Sequence, residues 1–181
     1  EIVSKKLMQI LEKSAQTDAL TNLYNRKYLE KYIDGKLYNG EYKNLPCGLM
    51  MVDIDFFKLI NDNYGHDIGD IAIKTIANTL MDVVDDSDVI IRFGGEEFIV
   101  VLNECTEDKL HSKAEEIRIA FSQQKIQAQS ESFSKTVSIG TSLFPNQDKS
   151  FWKYVKQTDI ALYQAKHNGR NQVVRYEEGM E

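Results

Sequence analysis

The chain has 181 residues, 42% apolar and 28% charged, the balance of one soluble globular domain with a single core and not of a disordered or membrane-spanning chain. With 22 Lys and Arg against 28 Asp and Glu the formal charge is −6, so no general basic field gathers nucleic acid, and a phosphate ligand must be held locally. Cys47, Cys105 and the three histidines show no ligand spacing, which argues against a disulfide or zinc framework and leaves a reducing cytoplasm as the default; no apolar run is long enough to cross a bilayer.

Residues 1–16, EIVSKKLMQILEKSAQ, place Ile2, Leu7, Ile10 and Leu11 roughly along one helical stripe. Two readings stand: the domain's own first helix, or a linking coil at the end of an upstream signalling region, cut from a longer protein. The second gives a linker helix over 1–16 and a domain over 17–181. Residues 26–38 carry helical spacing closed by Asn39-Gly40, and Pro46 opens CGLMMVDID, a buried strand that stops in acid. The stretch FFKLINDNYGH reads as a loop. Beyond it Ile68, Ala72, Ile76, Leu80 and Val84 recur every four residues in a helix whose start carries Asp67 and Asp70.

Residues 88–93 and 97–103 read as two strands joined by Gly94-Gly95, a short hairpin. Thr106 caps a helix with Leu110, Ala114, Ile117 and Phe121 on its core face. KTVSIGTSLF alternates as a strand, FWKYVKQTDIALYQAKHNG is a helix ended by Asn168-Gly169, and QVVRY is a last strand. This order predicts an α/β (α+β) sandwich, a central mostly antiparallel sheet flanked by helices.

Asp53 and Asp55 alternate at the end of their strand, so both carboxylates share one face. If the hairpin lies beside that strand, Glu96 and Glu97 approach Asp53, and clustered carboxylates call for a hard cation such as Mg²⁺. Separately, each acidic motif reads equally as a solvated turn. Lys58, Asn61, His66 and Asp70 crowd the next segment; Asn and Asp suit the edge of a purine, although Asn61-Asp62-Asn63 also reads as turn chemistry and Asp70 as a helix-start charge. Lys166 and Arg170 lie four apart at a helix C-terminus, where they either complement the dipole or clamp phosphates. Phe56 and Phe57 read as core or pocket wall in preference to a stacking platform.

Taken together these residues resemble the GGDEF domains, the diguanylate cyclases. The likeness runs in order from Asp18 to Val174 through DALTNLYNR, DIDFFKLINDNYGHDIGD, RFGGEEF, SIG and DIALYQAKHNGRN. It implies a palm-like core similar to nucleotidyl cyclases and synthesis of cyclic di-GMP from two GTP. In the implied site, Asp53, the Ile54 carbonyl and Glu96 hold Mg²⁺, two ions per GTP-loaded domain. Glu97 serves the second ion or deprotonates the 3′-hydroxyl, and Lys58 stabilises the transition state. Asn61 and Asp70 read guanine, and His66 lines the site. Lys166, Arg170 and backbone amides near Phe56 and Phe57 hold phosphates. Each domain is implied to supply half an active site, so a homodimer catalyses, under an upstream sensor or regulatory region.

Glu96 stands where the family name has Asp, which keeps the carboxylate. The family's product-inhibition motif, Arg-x-x-Asp, is here Asp85-Asp86-Ser87-Asp88, with the arginine missing, so feedback through that site is expected to be absent. Asp70 favours guanine specificity, because members making mixed cyclic GMP-AMP lack it. A GTP sensor without turnover and a purely structural dimerisation domain are the rival readings.

Overall fold

Strand β2 (Cys47–Ile54) is buried along its whole length, because helices cover both faces of the sheet at whose centre it lies. The computed structural model describes residues 2–32, 46–144 and 151–181. Around β2 the chain runs through α1 (Ile2–Gln16), β1 (Tyr24–Asn25), α2 (Arg26–Tyr32), α3 (Phe57–Tyr64), α4 (His66–Val83), the hairpin β3 (Val89–Arg92) and β4 (Glu97–Leu102), and α5 (Glu107–Ser122). A small hairpin, β5 (Ile126–Ala128) and β6 (Glu131–Phe133), then leads to β7 (Val137–Phe144), α6 (Phe151–His167) and β8 (Val173–Arg175).

The six-stranded sheet has the order β1-β3-β4-β2-β7-β8. Its inner pairings are antiparallel and only the edge strands β1 and β8 pair in parallel, so the sheet is mostly antiparallel as expected. Side chains alternate across β2. Met50, Val52 and Ile54 join the core under α4 and α5, while Leu49 and Met51 join Ile99, Val101, Val155 and Leu162 under α6. Asp53 and Glu97 continue this second series, which decides where the acids go: to the end of the sheet on its α6 face.

Helix α6 reaches that face because Gly140 on β7 has no side chain. A Cβ there would collide with the backbone of α6 at Leu162 N and Thr158 O. Beside this contact Ser142 and Thr158 hydroxyls meet at 2.6 Å, so the buried polar atoms satisfy each other.

Several expectations change. Within FFKLINDNYGH, Phe57–Tyr64 form a helix, α3, in place of the expected loop. Ile60 is buried, and Phe57 and Tyr64 pack against the same core, so tertiary burial outweighs the turn preference of Asn61-Asp62-Asn63. Strand β1 and the β5–β6 hairpin have no counterpart in the sequence reading. The helix foreseen over 26–38 is α2 as far as Tyr32, and its closure at Asn39-Gly40 lies outside the described residues. No helix among the described residues is long and apolar enough to cross a membrane.

Candidate active site

Asp53 and Glu97 are direct cross-strand partners, the last pair of the β2–β4 ladder. The Lys166 ammonium, from the last turn of α6, pairs with Asp53 Oδ2. Asp53 is only 4% exposed, and burial pushes its carboxyl up to about 6; Lys166 pulls it back, while Glu96 and Asp55 add repulsion. Glu97, half-buried, is pushed to about 6 by burial, then by the charges of Asp53 and of Asp159 on α6. Lys166 opposes this and Glu96 adds to it. Excess negative charge is thus concentrated at one spot and only partly offset by a lysine.

The backbone adds a carbonyl oxygen. Asp55 N–H bonds Thr136 O on the β7 side, so the Ile54 carbonyl of the same trans peptide points the other way, to the β4 side, where Glu96 lies just past the end of the β2–β4 pairing. No group of three or more His, Cys, Asp or Glu side chains among the described residues is gathered into a metal-holding cluster. The donor set still fits Mg²⁺, which takes one or two carboxylates and completes its shell with water and phosphate oxygens.

Asp55 shares the face of Asp53 as expected, close enough to repel it, but its oxygens are already engaged. It is 2% exposed and already serves as an acceptor for Ser138 Oγ (2.7 Å), Thr136 Oγ1 (2.6 Å) and the Asn171 amide (3.0 Å). Phe56, expected in the core or pocket wall, is 50% exposed with a left-handed backbone, φ 56°. The Arg170 guanidinium lies 4.4 Å above its ring, so Phe56 is not a core residue and one face of its ring carries a cation. Phe57 packs against the core as foreseen. At the start of α3 no side chain caps the helix, which leaves first-turn amides directed outward beside Arg170.

Asn61 is half-buried, its side chain lying against Gly69: a Cβ at that position would collide with Asn61 Oδ1. This seats the Asn61 amide against the turn of α4 that carries Gly69. Asp70 and His66 are exposed on the first turns of α4, and Lys58 is exposed on α3. The fold therefore joins Asp53 with Glu97 and Lys166, Phe56 with Arg170, and Asn61 with Gly69. Lys58, His66 and Asp70 stand on the adjoining helices.

The signature turn has its own support. Arg92 donates to Gly95 O (2.8 Å from Nη2) and to Asp18, the first residue of the DALTNLYNR stretch, whose place beside the turn no local pattern foretells.

A family model described as "Diguanylate cyclase, GGDEF domain" matches residues 15–172. The chain belongs to the GGDEF family. Diguanylate cyclase A of Treponema denticola is 37% identical over 169 residues, 91% of this chain and 45% of that protein. DosC of Escherichia coli K12 is 35% identical over 86% of this chain and 34% of its own length. The chain thus spans less than half of these curated relatives. Among solved structures, the coiled coil and GGDEF domain of DgcB from Caulobacter crescentus, in complex with c-di-GMP, superposes with a TM-score of 0.87 at 29% identity, covering 94% of this chain and 91% of that one. The mixed sheet flanked by helices is accordingly the α+β, nucleotidyl-cyclase-like fold of GGDEF domains, a family that is generally metal-dependent.

Proposed function

We propose that this GGDEF domain is a diguanylate cyclase, condensing two GTP into cyclic di-GMP and two pyrophosphates. The observation that carries the reading is the Asp53–Glu97 cross-strand pair, Asp53 buried against Lys166 and Glu97 half-buried, at the sheet end from which the chain runs on to the Arg170–Phe56 stack and the uncapped start of α3. A GTP sensor needs the phosphate and guanine contacts but gives no reason to bury repelling carboxylates.

Asp53, the Ile54 carbonyl, Glu96 and Glu97 would hold Mg²⁺, two ions per GTP-loaded domain, which supplies positive charge at the reacting α-phosphate and the leaving pyrophosphate. Glu97, with its carboxyl raised to about 6, is suited to accept the 3′-hydroxyl proton near neutral pH. Lys58 extends a cation from α3 toward charge developing in the transition state. Lys166 exchanges its contact with Asp53 for phosphate oxygens when the site is loaded. Arg170 and the amides at Phe56 and Phe57 hold the remaining phosphates. Asp70 accepts from the N1–H and exocyclic amine of guanine, Asn61 donates and accepts along the same edge, and His66 closes that side.

One domain positions one GTP, so two domains meet face to face and each 3′-hydroxyl attacks the partner's α-phosphate. The exposed stripe of Val3, Leu7, Ile10 and Leu11 on α1 suits a coil that brings copies together below an upstream sensor or regulatory region. A cytoplasmic position gives the site its GTP. Feedback through the Asp85 face is absent in this account.

Product formation should be followed over a range of protein concentrations with GTP and Mg²⁺. Specific activity that rises with concentration, with two pyrophosphates released per cyclic di-GMP, is expected. Bound GTP without product at any concentration would overturn the reading in favour of a sensor.

A further inference from the structure

Asp55 is a buried carboxylate that the proposed chemistry does not use. Its two oxygens tie together three separate segments. Oδ1 accepts from Ser138 Oγ at 2.7 Å, and Oδ2 accepts from Thr136 Oγ1 at 2.6 Å and from the Asn171 amide at 3.0 Å.

The third bond falls on an unusual piece of backbone. Arg170 and Asn171 are consecutive non-glycine residues in the left-handed region, φ 62° and 46°. Each such residue costs roughly 1 kcal/mol and persists only where its surroundings hold it. Arg170 N–H closes α6 on Ala165 O at 3.0 Å, and Arg118 Nη1 donates to Asn171 Oδ1 at 3.0 Å. Asp55 adds a charged acceptor, buried and therefore strong, to the Asn171 amide.

Both members of the Arg170–Phe56 stack are chain neighbours of this bond. Phe56 follows Asp55, itself in a left-handed conformation, and Arg170 precedes Asn171. This hydrogen bond thus ties together the two stretches of chain from which guanidinium and ring project. We propose that Asp55 is a positioning residue that holds the Arg170 turn for the triphosphate, and not a ligand of the metal. This rests on the reading of Arg170 as a phosphate ligand.

The test compares binding of GTP with binding of guanosine, and turnover, in the wild-type chain and in Asp55→Asn, Asp55→Ala, Arg170→Ala and the Asp55→Ala/Arg170→Ala pair. Arg170→Ala should weaken GTP about tenfold, the loss of a charge-assisted phosphate contact, and leave guanosine unchanged. Asp55→Ala should weaken GTP by a similar factor, again without touching guanosine, and add nothing in the Arg170→Ala background. Asp55→Asn should restore affinity and turnover to within about threefold, since an amide oxygen still accepts from Thr136 and Asn171 while its NH₂ donates to the Ser138 hydroxyl. If Asp55→Ala does not fold, Thr136→Val, which removes one hydroxyl steering the same oxygen, should give a smaller loss of the same GTP-only kind.

Asp55→Asn as inactive as Asp53→Asn would make Asp55 a metal ligand and overturn the proposal. So would multiplying effects of Asp55→Ala and Arg170→Ala, or an unchanged GTP affinity in Arg170→Ala. These outcomes leave the cyclase reading standing as long as the wild type makes product. A wild type that binds no GTP removes both.

Discussion

Arg92 and Asp18 are joined across 74 positions of chain, with Arg92 Nη1 donating to both carboxylate oxygens at 3.0 Å. The rest of the guanidinium grips Gly95 O, and Asp18 also accepts from the amide and hydroxyl of Thr21. The turn that presents Glu96 and Glu97 is therefore fastened to the segment that follows α1.

Removing this tie should loosen the turn before it unfolds the domain. Arg92→Ala is expected to lose about 2 kcal/mol in denaturant unfolding, the scale of a charged, half-buried hydrogen bond, and to lower turnover more than GTP affinity. The sign with pH follows from Asp18. Burial by itself raises its carboxyl, but the bonds from Thr21 and Arg92, with the charge of Arg92, outweigh burial and hold it below 3.8. A depressed carboxyl stabilises the fold above 3.8 and loses that contribution as pH falls through its folded value. The stability gap between wild type and Arg92→Ala should thus shrink below that pH.

Asp53 and Glu97 behave the opposite way. Both carboxyls are raised to about 6 from 3.8 and 4.5, chiefly by burial, so between those values and about 6 the folded chain holds protons that the unfolded chain has released. Without metal, stability should fall as pH rises through this window and level off above it. Mg²⁺ binds the deprotonated carboxylates, so the gain in Tm on adding it should be larger at about pH 8 than at about pH 5. Calorimetry on wild type and Glu97→Gln checks this, the variant showing the shallower pH slope.

Gly69 separates stability from recognition. Within α4, Gly69→Ala should gain up to about 1 kcal/mol from helix propensity, less the strain of pushing Asn61 aside. The displaced Asn61 amide should raise KM for GTP about tenfold with little change in kcat, the cost of a lost hydrogen bond to the base. A variant equally stable with unchanged KM would remove Asn61 from the guanine site.

The face around Asp85 is acidic. Asp85, Asp86 and Asp88 line a cavity of about 380 Å³ with Asn22 and Tyr24, and Lys113 lies 3.9 Å from Asp85. Repulsion between these carboxylates and a dinucleotide's phosphates should leave turnover insensitive to added cyclic di-GMP at roughly micromolar levels. Asp85→Arg should introduce inhibition that GTP does not compete away. Strong inhibition of the wild type, relieved by mutation of Asp88, would contradict this.

The core was legible in the sequence where periodicity was strong. Helix α5 buries Leu110, Ala114, Ile117 and Phe121 as the spacing predicts, and the β2 and β3–β4 strands stand where alternation and glycines put them. Helix α3 was hidden because Asn61, Asp62 and Asn63 carry turn preferences that only the burial of Ile60 overrides. The pairing of Asp53 with Glu97 could be expected once the hairpin was set beside β2. Which partner each acid takes could not, because Thr136, Asn171 and Lys166 come from segments far along the chain that only the folded sheet brings together. That is why the alternation of Asp53 and Asp55 shows in sequence only that they share a face, and not that Asp55 is a saturated acceptor in the fold.

The most direct measurement is chromatography of the nucleotides formed when the domain, fused to a dimerising coil, is supplied with GTP and Mg²⁺. Cyclic di-GMP from the wild type is expected, and none from Glu97→Gln, which should still bind GTP and keep its fold. A wild type that binds GTP and forms no cyclic di-GMP, or a Glu97→Gln variant turning over at the wild-type rate, would contradict the account.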